Sequence, residues 1–419
     1  MVFPTPAGFH ALPLPLAQLS LAAVLKCESS SHLGGPSHEY RLCLRDRVVC
    51  LRQSPDALFY RSVFPRSTPG DNECRDAETL AWIRDYFQLD VDLVELYQQW
   101  GSLDPVFLRL KDRFEGIRML RQDPFENLIS FICSSNNNIA RITKMVKSLC
   151  LAYSPPLLSL PPPDDSGGAE EAFYPFPPPS ALAAPEVSSK LRALGFGYRA
   201  DFLQKTAAML VESHGVSFDA TTQMEPSEVW LRTLRQFSTA DARIELLKFM
   251  GVGRKVADCV LLMSLDKREV IPVDTHVYQI AVKHYGLRVY DEVCGKLAAV
   301  WGSHAGWAHS VLFTADLKSF ASYGISTSST PPTPSLTPDR ISDESDTSPG
   351  LLTPHSALSN KRKRGPSKKA SAIKITEEVL VQLDVSRVTS SVEDETSLID
   401  RVKRRKRTNV SSVRSSGTT

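Results

Sequence analysis

The chain has 419 residues, 42% of them hydrophobic, enough for two or three domains with sizeable cores. Its longest apolar stretch near the start, residues 12–25, is broken by Pro13 and Pro15 and is too short to span a membrane. The net charge of +2 divides into 16 Lys+Arg against 11 Asp+Glu from Gly324 to Thr419 and 33 against 36 before it, so a body at −3 excludes a broadly basic nucleic-acid binder and confines any anion-binding surface to a local patch.

The first 25 residues contain no Arg, no basic n-region and no small-residue cleavage site, so neither a transit peptide nor a secretory signal is expected. Tyr40 to Leu44 and Val48 to Leu51 read as two strands around an Arg45-Asp46-Arg47 turn, and residues 57–64, rich in aromatics, as a third. Residues 76–87 place Leu80, Ile83 and Phe87 at helical spacing. The fold class expected is α+β: residues 1–115 form an antiparallel sheet with a few helices. From Pro124 the helical period dominates, with helices over 125–134, 139–149, 185–194, 200–213, 227–233, 241–249, 255–264, 275–285, 291–301 and 308–320. An all-helical domain over 116–323 follows, interrupted by a Pro-rich insertion at 155–179 that cannot be helix. Residues 324–419, rich in Ser, Thr and Pro, form an expected disordered tail. Its basic runs at 361–364 and 403–407 point to nuclear import, with a mitochondrial pool left open, and residues 373–383 could form a short helix. The eight cysteines contain no C-x-x-C pair and no zinc or iron–sulfur spacing, which points to a reduced, intracellular protein.

Chemistry concentrates in Phe249-Met-Gly-Val-Gly-Arg-Lys-Val-Ala-Asp-Cys-Val-Leu-Leu-Met263. Gly251 and Gly253 form a turn whose N–H groups open a helix, a place where a phosphate binds without a basic patch. Lys255 begins that helix. Nineteen residues later, Ile271-Pro-Val-Asp-Thr-His-Val277 puts Asp274 at the start of the next, where it can cap and still present a fixed carboxylate.

These two stretches resemble the helix–hairpin–helix–Gly/Pro–Asp superfamily of base-excision DNA glycosylases, and within it the 8-oxoguanine DNA glycosylase/lyases. Gln122 to Thr143, Leu194-Gly-Phe-Gly-Tyr-Arg-Ala200 and Ala305-Gly-Trp-Ala-His-Ser-Val-Leu-Phe313 carry the same resemblance in the expected order. It implies an enzyme, a DNA N-glycosylase with AP lyase activity, that flips 8-oxoguanine out of a duplex opposite cytosine. Lys255 would attack the sugar as a neutral amine, form a Schiff base and cleave by β-elimination, with Asp274 stabilising the charge that develops on the sugar. It further implies Asn136 filling the vacated space, Arg141 and Arg199 reading the orphaned cytosine, and Tyr198 wedging the stack. Gly251, Gly253 and His276 would contact phosphates. Cys259 and Phe313 would sandwich the base in a pocket completed by Met263 and His309. No cofactor is implied for the chemistry, but a structural cation could sit on the backbone carbonyls of Leu247, Phe249 and Val252. The partner implied is double-stranded DNA bearing oxidised guanine, with no membrane and the protein a monomer.

The sequence departs from the family at four places. A Gly-Gln-Ser-Phe-Arg-Trp-like segment that senses the lesion is missing after Cys27, through a true loss or a gene-model error. His309 stands for the usual Gln, and Met250 for a Pro before the turn. The connection after Tyr285 is short and the Pro-rich insertion is extra. The alternative reading is therefore a non-catalytic or lesion-unselective helix–hairpin–helix DNA-binding protein.

Overall fold

The computed structural model describes residues 4–25, 39–66, 72–163, 169–217, 224–287, 289–317, 320 and 323. The basic tail with its import runs, the segment at 373–383 and the segment after Cys27 lie outside the described residues.

A four-stranded antiparallel sheet has the order β1-β4-β3-β2, from β1 (His10–Pro13), β2 (Tyr40–Cys43), β3 (Val48–Gln53) and β4 (Ala57–Val63). Register pairs Leu51 with Tyr60 and with Tyr40, so alternate residues share a face. One face, with Val49, Leu51, Leu58 and Tyr60, packs on α1 (Leu21–Val24) and α2 (Asn72–Tyr86) through Leu25, Ile83 and Phe87. The turn between β2 and β3 sends its arginines to different helices. Arg47 donates to Thr79 on α2 at 2.9 Å, while Arg45 forms a two-pronged pair with the buried Glu228.

The expected strands are present within two residues at each end. β1 was not expected, because four residues containing Pro13 carry little periodic signal; it forms because it pairs with β4. The Pro-rich insertion also has more structure than a connecting loop. β5 (Leu158–Leu160) and β6 (Glu171–Phe173) pair antiparallel. Leu160, with Leu158 and Phe173 beside it, covers Phe9, Val48, Cys50 and Phe59 on the sheet's other face. A sheet buried on both sides explains the continuous apolar run of β3.

The helices form two cores. The first gathers α5 (Pro124–Ser134), α6 (Ile139–Tyr153), α7 (Pro179–Ala183), α8 (Glu186–Ala193), α9 (Arg199–His214), α10 (Pro226–Thr233) and α11 (Thr239–Leu247) around α12 (Arg254–Ser264). The second joins α3 (Leu93–Leu103) and α4 (Pro105–Leu110), which precede residue 115, to α13 (Thr275–Tyr285), α14 (Tyr290–Trp301) and α15 (Ala305–Asp316). Asp104 is the joint of the second core. It caps α4 through the Val106 N–H at 2.8 Å and accepts from Tyr285 at 2.6 Å and Trp301 at 3.0 Å. α12 belongs to the first core through Val256, Val260 and Leu261 and to the second through Leu262, so it marks where the two meet. The last helix is shifted from its expected span because Gly306 starts it against α12. A Cβ there would collide with the Val270 carbonyl and Leu262.

Candidate active site

The hairpin between α11 and α12 depends on one glycine. Gly251 has φ +80°, and a Cβ on it would lie 2.6 Å from the Phe202 ring. Thr206 secures the turn from below by donating to the Met250 carbonyl at 3.0 Å. Gly253 is different: its φ of −99° is open to any residue, and nothing stands within 4 Å of its Cβ position. Its role is to leave the start of α12 bare and exposed, with N–H donors at the positive end of the helix dipole. The carbonyls of Leu247, Phe249 and Val252 lie at and after the C-terminal end of α11. The Phe249 carbonyl already accepts the Val252 N–H at 3.2 Å, which leaves one lone pair. Oxygens at the negative end of a helix suit a hard cation, and the described residues contain no His, Cys or acidic cluster that could hold another metal.

Lys255, in the first turn of α12, is half-buried, with Nζ 4.9 Å from the Phe131 ring centroid. Cys259 lies one turn further on the same face. Burial pushes this thiol up to about 11; the Lys255 charge opposes the rise, and Asp274 adds to it. One buried thiol thus feels both groups. Asp274 is 7% exposed, and its Oδ1 accepts the N–H groups of His276 and Val277, each at 2.9 Å. The cap fixes this carboxylate and leaves Oδ2 without a hydrogen bond among the described residues.

Gly306, His309 and Phe313 follow i, i+3, i+7 on α15, and the close approach at Gly306 turns that face toward α12. His309 is buried, and both ring nitrogens lack partners among the described residues. Desolvation lowers its pKa to about 4, against a smaller upward pull from Asp274. Phe313 stands between two imidazoles, edge-on to His276 at 5.1 Å and tilted to His309 at 6.2 Å. His276 turns Nε2 toward Asp316 at 3.3 Å. Met263, half-buried at the end of α12, accepts the Gln122 N–H on its carbonyl at 2.8 Å.

The remaining expected residues form a rim beside this centre. Three consecutive asparagines do three jobs. Asn136 is exposed with φ +47°, a left-handed conformation Asn tolerates. Asn137 is buried and donates to the Cys133 carbonyl at 2.9 Å, and Asn138 caps α6 through the Arg141 N–H at 2.8 Å. Tyr198, 41% exposed, donates to the Ser135 carbonyl at 3.1 Å. Arg199 is buried and braces this turn: Nε donates to Ser135 at 3.0 Å, Nη2 to Ser135 and to Asn136 at 2.9 Å, and Nη1 to Phe196 at 3.4 Å. Four of its five N–H groups are engaged. Arg141 is exposed and spends one N–H, on the Gly195 carbonyl at 3.1 Å.

The expected residues therefore fall into two groups, Lys255, Cys259, Met263, Asp274, His276, His309 and Phe313 around α12 and Asn136, Arg141, Tyr198 and Arg199 on the rim, with Gly251 and Gly253 on the hairpin. Sequence reasoning missed Phe131, Phe202 and the Ser135 carbonyl. Phe131 and Ser135 lie inside the quoted Gln122–Thr143 block, and Phe202 two residues beyond the Gly-Tyr-Arg block. No spacing singles them out, because their partners are distant in the chain.

The "8-oxoguanine DNA glycosylase, N-terminal domain" family matches residues 11–128, and the "HhH-GPD superfamily base excision DNA repair protein" family matches residues 129–301. The N-glycosylase/DNA lyase of Saccharomyces cerevisiae is 34% identical over 297 residues, 64% of this chain and 74% of that protein. The N-glycosylase/DNA lyase OGG1 of Arabidopsis thaliana is 35% identical over 290 residues, 67% and 72%. Among solved structures, the Clostridium acetobutylicum 8-oxoguanine glycosylase/lyase, bound to double-stranded DNA with cytosine opposite 8-oxoG, matches with TM-score 0.57 at 25% identity, over 71% of this chain and 91% of that one.

Proposed function

The chain belongs to the 8-oxoguanine DNA glycosylase/lyase family of the helix–hairpin–helix–Gly/Pro–Asp superfamily, and from that premise we propose that it excises 8-oxoguanine opposite cytosine through a Lys255 Schiff base. As a family member it is a DNA N-glycosylase with AP lyase activity.

In the proposed reaction the Lys255 amine attacks C1′ and the glycosidic bond breaks, the base leaving with the bonding electrons. Loss of one proton from the attached nitrogen, then opening of the sugar ring with O4′ taking up a proton, gives a protonated Schiff base. Removal of a C2′ proton then expels the 3′ phosphate. Asp274 is the fixed negative charge beside the sugar as positive charge grows on it. Cys259 and Phe313 would hold the extruded base, and Met263 would close that pocket. The neutral His309 would offer one donor and one acceptor to its polar edge. Gly251, Gly253 and His276 would bind lesion-strand phosphates. Tyr198 and Asn136 would occupy the opened stack. Arg141, with four N–H groups unengaged among the described residues, would do most of the cytosine reading and Arg199, with one, the rest. A cation on Leu247, Phe249 and Val252 would stiffen the hairpin and add positive charge near a phosphate. The protein would act as a monomer, and the runs at 361–364 and 403–407 would direct it to the nucleus.

The observation that carries this reading is that Lys255 and Asp274, nineteen positions apart, act on the same buried thiol of Cys259. Borohydride trapping tests it on duplexes with 8-oxoguanine, an abasic site or plain guanine. An adduct on the first two that is lost in Lys255→Gln is expected. An adduct on the abasic duplex alone would remove lesion recognition, and no adduct would leave only a DNA-binding module.

A further inference from the structure

The body's negative charge requires any basic surface to be local, and one lies away from the hairpin. α6 places Arg141, Lys144 and Ser148 at i, i+3 and i+7, hence on one face, and contains no Asp or Glu along its length. With Met145, Leu194 and Gly195 these residues line a groove of about 340 Å³. Arg141 pins one wall by its bond to the Gly195 carbonyl. That wall is bare backbone: Gly195 has φ +89° and nothing lies within 4 Å of its Cβ position. Lys144 is exposed and makes no ion pair among the described residues. The Ser148 hydroxyl donates to the Lys144 carbonyl at 2.8 Å. The groove therefore holds two cations and no anion.

Its position assigns the ligand. A chain of neighbours crosses the rim. Gly251 of the hairpin lies on Phe202, and Phe202 packs edge-on against Tyr198 at 5.7 Å. Tyr198 and Arg199 bond the turn at Ser135 and Asn136, and Asn138 then caps the helix that carries Arg141. The groove thus lies beyond the Tyr198–Asn136 row along the chain of contacts that starts at the hairpin. If the hairpin holds the lesion strand, the anion reaching α6 comes from the other strand.

We propose that this groove binds a backbone phosphate of the strand opposite the lesion, with Lys144 as its main cation and Arg141 shared between that phosphate and the orphaned base. The proposal rests on the duplex-opening reading above. The enzyme then grips both strands, by helix-start N–H groups on one and by side-chain charge on the other.

Neutral methylphosphonate linkages, placed in one strand at a time around the lesion site, separate the two grips. In the wild type, neutral linkages in the complementary strand weaken binding and lower the dependence of log K on log salt by about 0.9 for each bound phosphate neutralised. Lys144→Gln lowers that slope by most of this amount on ordinary DNA and loses most of its sensitivity to the complementary-strand change, Arg141 keeping the remainder. Ser148→Lys, which adds a cation to the groove, steepens the slope. If complementary-strand neutralisation leaves wild-type affinity and slope unchanged, or if Lys144→Gln keeps its full sensitivity to it, the proposal is overturned. Borohydride trapping on the same duplexes reports separately on the chemistry. An adduct formed without a complementary-strand effect removes the groove alone, while a complementary-strand effect without an adduct removes the catalytic reading and keeps the groove.

Discussion

The centre around α12 and the rim at Asn136 and Tyr198 are built in opposite ways. At the centre the working groups are side chains in apolar surroundings, and several polar atoms go unpaired: both His309 nitrogens have no partner among the described residues. At the rim the scaffold is backbone. The Ser135 carbonyl alone collects Tyr198 and Arg199, and the groups that project outward are exposed. The difference follows from the tasks. Bond breaking gains from charges fixed in low dielectric, where each acts strongly. Holding a duplex needs donors and charges that solvated phosphates can reach, with a rigid turn behind them.

The largest test of this contrast is Asp274→Asn. Asn is also a favoured cap, so stability should change by less than about 1 kcal/mol. The excision rate should fall by about 10²–10³ because the negative charge is gone. Single-turnover kinetics and thermal unfolding on the same samples check it, and a fall in rate that merely tracks unfolding would reduce Asp274 to a cap.

A second test uses pH. The His309 pKa lies near 4 when folded, below its ordinary 6.5, so the unfolded chain takes up the proton first on acidification. Stability is therefore full above about pH 6.5, is lost as pH falls toward 4, and loses no more below that. A shift of that size corresponds to about 3 kcal/mol at most. Denaturant titrations from pH 7 to pH 4 should show a shallower loss in His309→Gln than in the wild type. Equal slopes would mean the imidazole is not held neutral by burial.

The smallest expected effect belongs to the hairpin. Gly251→Ala forces a side chain onto φ +80° and into the Phe202 ring, at a cost of about 1–3 kcal/mol. Gly253→Ala, with open space around its Cβ position, should lose much less stability, although both substitutions should weaken DNA binding at the helix start. Similar losses of stability at both glycines, read by equilibrium unfolding, would erase the distinction drawn between them.

Much of this was legible in the chain. The helices of the catalytic half begin at residues whose chemistry announces a start: Asp123 before Pro124, Asn138 before α6, Ser238 before α11 and Asp274 before α13 all accept N–H groups where their types predict. Lys255 and Cys259 were placed on one face by the four-residue step alone. What was not legible has a common cause. β1 exists because β4 offers it a partner, and the insertion hairpin is ordered because the sheet's second face is apolar. Phe202 under Gly251 and the Ser135 carbonyl under Tyr198 are meetings of segments more than forty residues apart.

Local elements, family motifs and capping chemistry can be read from the chain alone, because helix starts, turns and face periodicity depend on neighbours within a few positions. Which faces meet was settled by the packing of the whole fold. It brought Lys255 and Asp274 within electrostatic reach of one thiol, buried His309, and joined a basic groove to the hairpin through the Tyr198–Asn136 row. Those outcomes depend on how two hydrophobic cores close on α12, and close packing is a property of the whole assembly that no short window of residues encodes.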